Sequence, residues 1–400
     1  MTTTGETTTG EPRLTHLPGF AEYQNEIYLA GLAGVTPAFP VASAELEAAG
    51  YAAMAPETVG YVAGGAGSEA TVRANRAAFD RWRIVPRMLR GIVARDLSTS
   101  VLDTAMPAPV LLAPVGVQSI VHPDGELATA RAAASLGVPF VLSTASSTAM
   151  EDVAAAAGDG PRWYQLYWPR DRELAASFVR RAEDAGYGAL VVTLDTWMLG
   201  FRPRDLQRAF LPFLRGAGIA NYTSDPVFCS RLPDDAPESA VLLWASTFAD
   251  PGLTWDDIGW LRDRTALPIV LKGVCSPADA SRALDAGADA INVSNHGGRQ
   301  VDGAIAALDA LPAVADAVGG RVPVLFDSGI RTGADAVKAL ALGADAVLLG
   351  RPYVWGLALG GEDGVRHVLR TFLADLDNTL ALSGHANPAE LSRHTVERAP

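Results

Sequence analysis

Lysine is nearly absent from this chain: among 32 basic residues only Lys272 and Lys338 are lysine, and the other 30 are arginine. An ordinary surface cation here is an arginine, so each lysine asks for a reason. Lys338 lies in the helix-like stretch Ala334 to Leu342 and is expected at the surface. Lys272 closes the apolar run Pro268-Ile269-Val270-Leu271, where a compact ammonium would serve either a site or a buried ion pair. Cysteine is scarce too. Cys229 and Cys275 cannot build a disulfide framework and, with no Cys/His set beside them, offer no metal site. No apolar run reaches the length of a membrane-spanning helix. Met1 to Gly10 lacks the basic and apolar regions of a secretory leader, so a cytoplasmic location is the expectation. With a formal net charge of −13 the chain lacks the basic surface that nucleic acid requires, and neither nucleic acid nor membrane is expected as a partner.

What the chain has in plenty is apolar residues, 49%, and glycine, 39 in all, enough for a large core joined by tight turns. Residues 1–18 are Thr/Gly/Glu-rich with little to bury and are expected to form a disordered tail. Residues 19–105 read as a helical preamble, with helical patterning in Ala44 to Ala53 and Ser68 to Trp82 and a break at Gly60-Tyr61-Val62-Ala63-Gly64-Gly65 that would lend Tyr61 to a site. From Pro109 the rhythm changes to eight short apolar runs, each followed by a helical stretch: Val110 to Ala113, Phe140 to Ser143, Trp163 to Leu166, Ala189 to Thr193, Ile269 to Lys272, Ala290 to Val293, Val324 to Asp327 and Ala346 to Leu349. The alternation predicts parallel strands, and eight units in series predict a (β/α)8 TIM barrel with its site at the C-terminal strand ends, in preference to a doubly wound sheet. Residues 194–268, between the fourth and fifth strands, are too long for a plain connection and are expected to be a lid. Residues 19–400 then form one domain, ending in Asn387 to Pro400 as a last helix and an arm.

The strand ends carry the chemistry. Ser294-Asn295-His296-Gly297-Gly298-Arg299-Gln300 follows the sixth run, where His296 can take a proton near neutral pH and Arg299 offers a fork of donors to a carboxylate. Convergence of the barrel would join to them Ser143, Gln165, Tyr167, Thr193, Asp195, Lys272, Asp327, Gly350 and Arg351. Asp327 to Gly333 and Gly350-Arg351-Pro352 follow the last two strands, the usual phosphate position of such a barrel. Arg202 and Arg299 make a second anion site beside the candidate base, so a phosphate-tethered cofactor facing an acid substrate is expected. No covalent nucleophile and no metal-ligand cluster stands out.

The heptapeptide resembles the signature of the FMN-dependent 2-hydroxy acid oxidases and dehydrogenases, and the similarity runs in order from about Tyr23 to Leu391. Within that family Asn25-Glu26-Ile27-Tyr28, Tyr61 to Gly65, Asp195-Thr196-Trp197 and Arg202 to Leu206 resemble the lactate 2-monooxygenase subgroup. The resemblance implies FMN as cofactor and His296 as base backed by Asp195. It implies Arg299, Arg202 and Tyr61 on the substrate carboxylate and Tyr167 near the reacting hydroxyl. Lys272 would sit by the N1/C2 edge of the flavin, Ser143, Gln165 and Thr193 on its polar edge, Ser294 at the cofactor, and Pro114, Val115 and Gly116 along one face. Asp327 would meet the ribityl chain, and Gly329, Arg331, Gly350 and Arg351 the phosphate.

The implied reaction is oxidation of a small (S)-2-hydroxy acid with O2. Its expected outcome is the lactate 2-monooxygenase one, lactate to acetate, CO2 and water. The alternatives are an oxidase releasing H2O2, a dehydrogenase with another acceptor, a non-redox barrel isomerase and a binding protein for a phosphorylated ligand. A homo-oligomer, tetramer or octamer, is implied as well. Two departures from the family pattern bear on substrate and product: Ala145 stands where a larger side chain is common, and the segment from Cys229 to Leu253 is shorter than in the monooxygenase. Gly116, where simple oxidases usually carry alanine, points toward the monooxygenase by leaving space at the flavin face.

Overall fold

A computed structural model describes residues 19–233 and 236–399; the tail expected over 1–18 lies outside the described residues. Eight strands close into a parallel barrel in strict chain order: β1 (Val110–Leu112), β2 (Phe140–Ser143), β3 (Arg162–Leu166), β4 (Leu190–Thr193), β5 (Ile269–Lys272), β6 (Ala290–Val293), β7 (Val324–Phe326) and β8 (Ala346–Leu349). β8 pairs with β1 through Val347 opposite Val110, which completes the ring and excludes the doubly wound sheet. All eight candidate runs are strands, with ends shifted by a residue or so.

Strand periodicity sorts the side chains into two layers. Leu142, Leu166, Val192, Leu271, Val293, Phe326 and Leu349 point outward into the large core shared with the helices. Leu111, Val141, Trp163, Val191, Val270, Leu325 and Leu348 form a separate inner cluster. An antiparallel hairpin, Thr99–Val101 with Thr104–Met106, adds Val101 and Met106 to that cluster. Trp163 Nε1 donates to Thr104 Oγ1 at 2.9 Å, so the hairpin seals the end where the strands begin.

The preamble is less uniformly helical than its pattern suggests. Helices Glu22–Leu32, Ser43–Ala52, Pro56–Ala63 and Ala70–Asp80 are followed by extended chain, the strand Trp82–Ile84 and the hairpin. The break expected from Gly60 to Gly65 is instead the second half of Pro56–Ala63: Pro56 starts this helix with its φ already set, Tyr61 and Val62 are buried, and the chain leaves it at Gly64. The last helix is Arg351–Leu382, not the tail; Asn387 onward makes short turns and a strand, Val396–Arg398, antiparallel to Trp82–Ile84. Lys338 is half-buried rather than an ordinary surface residue, its Nζ donating to the Phe79 carbonyl at 3.0 Å. Among the described residues no helix is long and apolar enough to cross a membrane.

Candidate active site

At the C-terminal strand ends one cavity, about 1080 Å3 with its open mouth included, is lined from Pro114, Val115, Gly116 and Ser143 through Lys272 and Asp327 to Gly329, Arg331, Gly350 and Arg351. Its other flank holds His296, Tyr167, Tyr61, Arg202 and Arg299. Gln165, Thr193, Asp195 and Ser294, also expected at the site, do not line it. They lie behind it. Gln165 Oε1 accepts from Ser143 Oγ at 2.9 Å, and Ser294 Oγ accepts from Lys272 Nζ at 2.8 Å while donating to Asp327 Oδ1 at 2.7 Å. Thr193 stands beside Lys272 in the β4–β5 register.

The histidine turn is built to hold one geometry. His296 has φ 59°, a left-handed conformation that costs a non-glycine residue roughly 1–2 kcal/mol. Gly297 and Gly298 continue it at 64° and 79°, and a Cβ on Gly298 would come within 2.7 Å of the Val72 amide. Backbone N–H groups are captured by side chains: Gly298 by Asn295 Oδ1 at 3.1 Å, Gly297 by Ser328 Oγ at 3.0 Å and His296 by Ser294 Oγ at 3.1 Å. His296 Nδ1 lies 2.8 Å from Asp195 Oδ1. Burial opposes ionisation of Asp195, but the imidazole, Lys272 and Thr196 hold its carboxyl below the usual range. An ionised carboxylate only accepts, so Nδ1 carries the proton and Nε2 is left with its lone pair, 3.5 Å from the Tyr167 hydroxyl. Burial, assisted by Lys272 and Arg202 and opposed by Asp195, pushes the imidazole below its ordinary value. The result is a neutral base facing the cavity.

Around this base sit guanidinium groups without an ion-pair partner, although the Asp205 carboxyl acts on Arg202 and Arg299 at longer range. Among the described residues Arg202, Arg299 and Arg351 make no ion pair, whereas Arg95, nearly as enclosed, pairs with Asp377. Burial, with neighbouring guanidinium groups, pushes Arg202 and Arg351 down to about 10. Their donors go to backbone and amide oxygens instead. Arg299 Nη1 donates to the Tyr61 and Gly64 carbonyls at 2.6 and 2.8 Å, and Arg351 reaches those of Val62, Ala63 and Gly64. The C-terminal end of helix Pro56–Ala63, where carbonyls lack partners and the dipole is negative, therefore aims both cations. Arg202 donates to the Arg299 carbonyl at 3.1 Å and to Gln300 Oε1 at 2.9 Å.

Lys272 realises both of its expected reasons, since it lines the cavity and pairs with Asp327 at 3.1 Å. Burial works against its charge, and Asp327 and Asp195 more than restore it. The lining thus offers anion-binding groups at Arg331 and Arg351, an ammonium at Lys272, and further guanidinium groups at Arg202 and Arg299 beside His296; Arg351 and Arg299 meet at the Gly64 carbonyl. Behind Ser143 the buried donor Gln165 Nε2 has no partner among the described residues. A long ligand with one phosphate and a polar ring edge fits this donor set.

Several contributors escaped the sequence. Thr196 Oγ1 donates to Asp195 Oδ1 at 3.0 Å and lies 3.1 Å from His296 Nδ1. The long segment after β4 lines the cavity with the expected Arg202 and also with Leu199, Phe213 and Phe248, which the sequence did not single out. Phe213 stacks on Trp244 with ring centroids 4.7 Å apart, and Phe248 packs edge-on to Tyr167 at 5.4 Å. Gly116 leaves no empty space: a Cβ there would meet Ala145 Cβ and the Ala145 carbonyl, each at 2.8 Å. The room credited to it from the sequence is filled by Ala145.

Residues 51–398 match the model of the FMN-dependent dehydrogenase family. The chain belongs to that family, and its cofactor is FMN. It is 44% identical over 387 residues to the FMN-dependent alpha-hydroxy acid dehydrogenase qulF of Penicillium citrinum, covering 95% of this chain and 96% of that one. To an L-lactate oxidase of Lysinibacillus sphaericus it is 46% identical over 346 residues, with 86% and 90% covered. A crystal structure of mandelate oxidase with (S)-4-hydroxymandelic acid superposes with a TM-score of 0.81 at 40% identity, covering 90% of this chain and 99% of that one. The family member described here is therefore an oxidoreductase on a TIM-barrel frame.

Proposed function

We propose that this FMN enzyme oxidises an (S)-2-hydroxy acid to the 2-oxo acid with O2 as the final oxidant. The observation that carries the proposal is the neutral imidazole of His296, backed by the Asp195 carboxylate and flanked by Arg202 and Arg299, neither of which makes an ion pair among the described residues. Bound FMN supplies the two-electron acceptor. His296 Nε2 takes the substrate hydroxyl proton, and Asp195 supports the imidazolium that results. Arg299, Arg202 and Tyr61 hold the carboxylate, and Tyr167 orients the hydroxyl. With FMN bound, Lys272 would face the flavin's N1/C2 edge, Pro114 to Gly116 and Ser143 would line the ring site, and Gln165, Thr193 and Ser294 would support it from behind. Asp327 serves the ribityl chain, and Gly329, Arg331, Gly350 and Arg351 the phosphate. A homo-oligomer in the cytoplasm completes the proposal.

Two product outcomes follow from when the 2-oxo acid leaves. Release before O2 is consumed gives 2-oxo acid and H2O2; retention gives, from lactate, acetate, CO2 and water. The relatives named as oxidases and the filled space at Gly116 support release, while the aromatic lining that Phe213 and Phe248 of the long segment give the cavity and the resemblance of Arg202 to Leu206 support retention. Release is the better supported. The test is twofold: the purified protein should give up FMN on denaturation and bleach anaerobically with (S)-lactate or (S)-mandelate, and a product assay in air without catalase should find 2-oxo acid and H2O2 in equal amounts. A colourless protein that takes up no FMN overturns the proposal, and acetate from lactate selects retention.

A further inference from the structure

Helix Ala70–Asp80 contributes nothing to the cavity lining, yet two adjacent residues on it hold two different loops of the site. Asn75 is 2% exposed and forms a closed amide pair with Asn295: each Nδ2 donates to the other's Oδ1 at 2.8 Å. Backbone donors orient both amides, because Asn75 Oδ1 also accepts from Ala307 N at 3.1 Å and Asn295 Oδ1 from Gly298 N at 3.1 Å. Asn295 is the residue before the left-handed His296 turn. Arg76 turns the other way and donates to the Gly329 carbonyl and, at 2.8 Å, to Asp335 Oδ2, which accepts in addition from the Arg331 and Thr332 amides. The helix start is itself fixed by Asp302, which accepts from the Ser68, Ala70 and Thr71 amides.

We propose that Asn75 is a positioning residue for the base: through Asn295 it holds the His296 turn, while Arg76 holds the Gly329–Arg331 loop and so serves cofactor binding. The division of labour rests on the roles of the two loops proposed above. A strained turn persists only where its surroundings over-determine it, and the amide pair supplies that constraint from outside the barrel.

Asn75→Asp preserves shape and the acceptor for Ala307 but sets an oxygen against Asn295 Oδ1. Turning the Asn295 amide over would set its NH2 against the Gly298 N–H. The full-length variant is expected to lose about 10–100-fold in limiting anaerobic flavin reduction, as a misplaced reacting group does, with FMN affinity, read by fluorescence titration of the apoprotein, within about threefold of the parent. Arg76→Gln is expected to show the reverse split, weaker FMN binding with near-parental reduction at saturating FMN. Asn295→Asp, which keeps the acceptor for Gly298 and loses the donor to Asn75, should behave like Asn75→Asp and replaces it if that protein does not fold. Hydrogen exchange adds a readout independent of turnover: the peptide over 294–302 should exchange faster in Asn75→Asp and the peptide over 327–335 should not. Parental reduction in Asn75→Asp, or losses of both kinds in both variants, overturns the proposal. A parent that binds FMN but is reduced by neither (S)-lactate nor (S)-mandelate counts against the proposed function, and unchanged exchange over 294–302 counts against the role of Asn75.

Discussion

Val141, Trp163, Val191, Val270 and Leu325 fill the barrel where its strands begin, sealed beneath by Val101 and Met106. Two residues further along the same five strands the inward positions are Ser143, Gln165, Thr193, Lys272 and Asp327, all buried. One backbone and one side-chain alternation thus build a dry plug at one end and a polar floor at the other. Burying Ser143, Lys272 and Asp327 is tolerable because they are answered: Lys272 and Asp327 by each other and by Ser294, Ser143 by Gln165 Oε1. At the polar end Gln165 Nε2 has no partner among the described residues, and Arg202, Arg299 and Arg351 meet carbonyl and amide oxygens rather than carboxylates. Stability and chemistry are therefore separable along the barrel axis, and substitutions at the two ends should fail in different ways.

The largest effect is expected at the polar end. His296→Ala should lose about 10³–10⁴-fold in substrate-driven flavin reduction, the loss of a positioned base acting in a joint unit, while FMN content and thermal midpoint stay near the parent's. Near-normal anaerobic bleaching would show that another group takes the proton. The pH profile sharpens the same point. Burial sets the imidazole below its usual 6.5, and the neutral form is the active one, so kcat/KM should hold steady as pH falls through 6.5 and decline only on a limb below it. A limb above 6.5 would contradict a buried neutral base.

At the plug the pattern should invert. Trp163 is fully buried and hydrogen-bonded to Thr104. Trp163→Ala should cost about 3–5 kcal/mol of stability through the cavity it leaves, measured by denaturant unfolding, with reduction of the folded, FMN-saturated enzyme within about threefold of the parent. A rate loss as large as that of His296→Ala would show that the two ends are not separable.

How far the sequence revealed this division follows from the range of each interaction. Strands of four or five apolar residues between glycine-terminated helices are local signals, and all eight were readable. The polar strand ends were readable too, because period two places them without knowledge of partners. What depended on distant pairing was not. Helix Pro56–Ala63 looked broken because Gly60 and Gly64 weaken a helix by propensity, whereas burial of Tyr61 and Val62 holds it there. Asn75 meets Asn295 across 220 residues of chain, and Thr196 becomes informative only once Asp195 and His296 are side by side. Gly116 looked like an open space because its neighbour in space, Ala145, lies on another strand's loop.

The smallest expected effect concerns the cavity wall, which belongs to neither end of the strands but to the long segment after β4. Phe248 lines the cavity and packs on Tyr167, and Phe213 lines it while stacking on Trp244, whereas Ala145, also in the lining, offers only a methyl group. A planar aromatic substituent on the 2-hydroxy acid would find ring partners there that the methyl of lactate cannot use, and an aromatic pair contributes about 0.5–1.5 kcal/mol beyond its buried area. Phe248→Ala should therefore lower the ratio of kcat/KM for (S)-mandelate over (S)-lactate by roughly 3–10-fold, with lactate turnover little changed because the base and both arginines are untouched. Equal losses on the two substrates would assign Phe248 to holding Tyr167 in place. An unchanged ratio would mean that the ring wall does not select the substituent, and Ala145→Leu, which narrows the cavity at its lining, would then be the change expected to favour lactate.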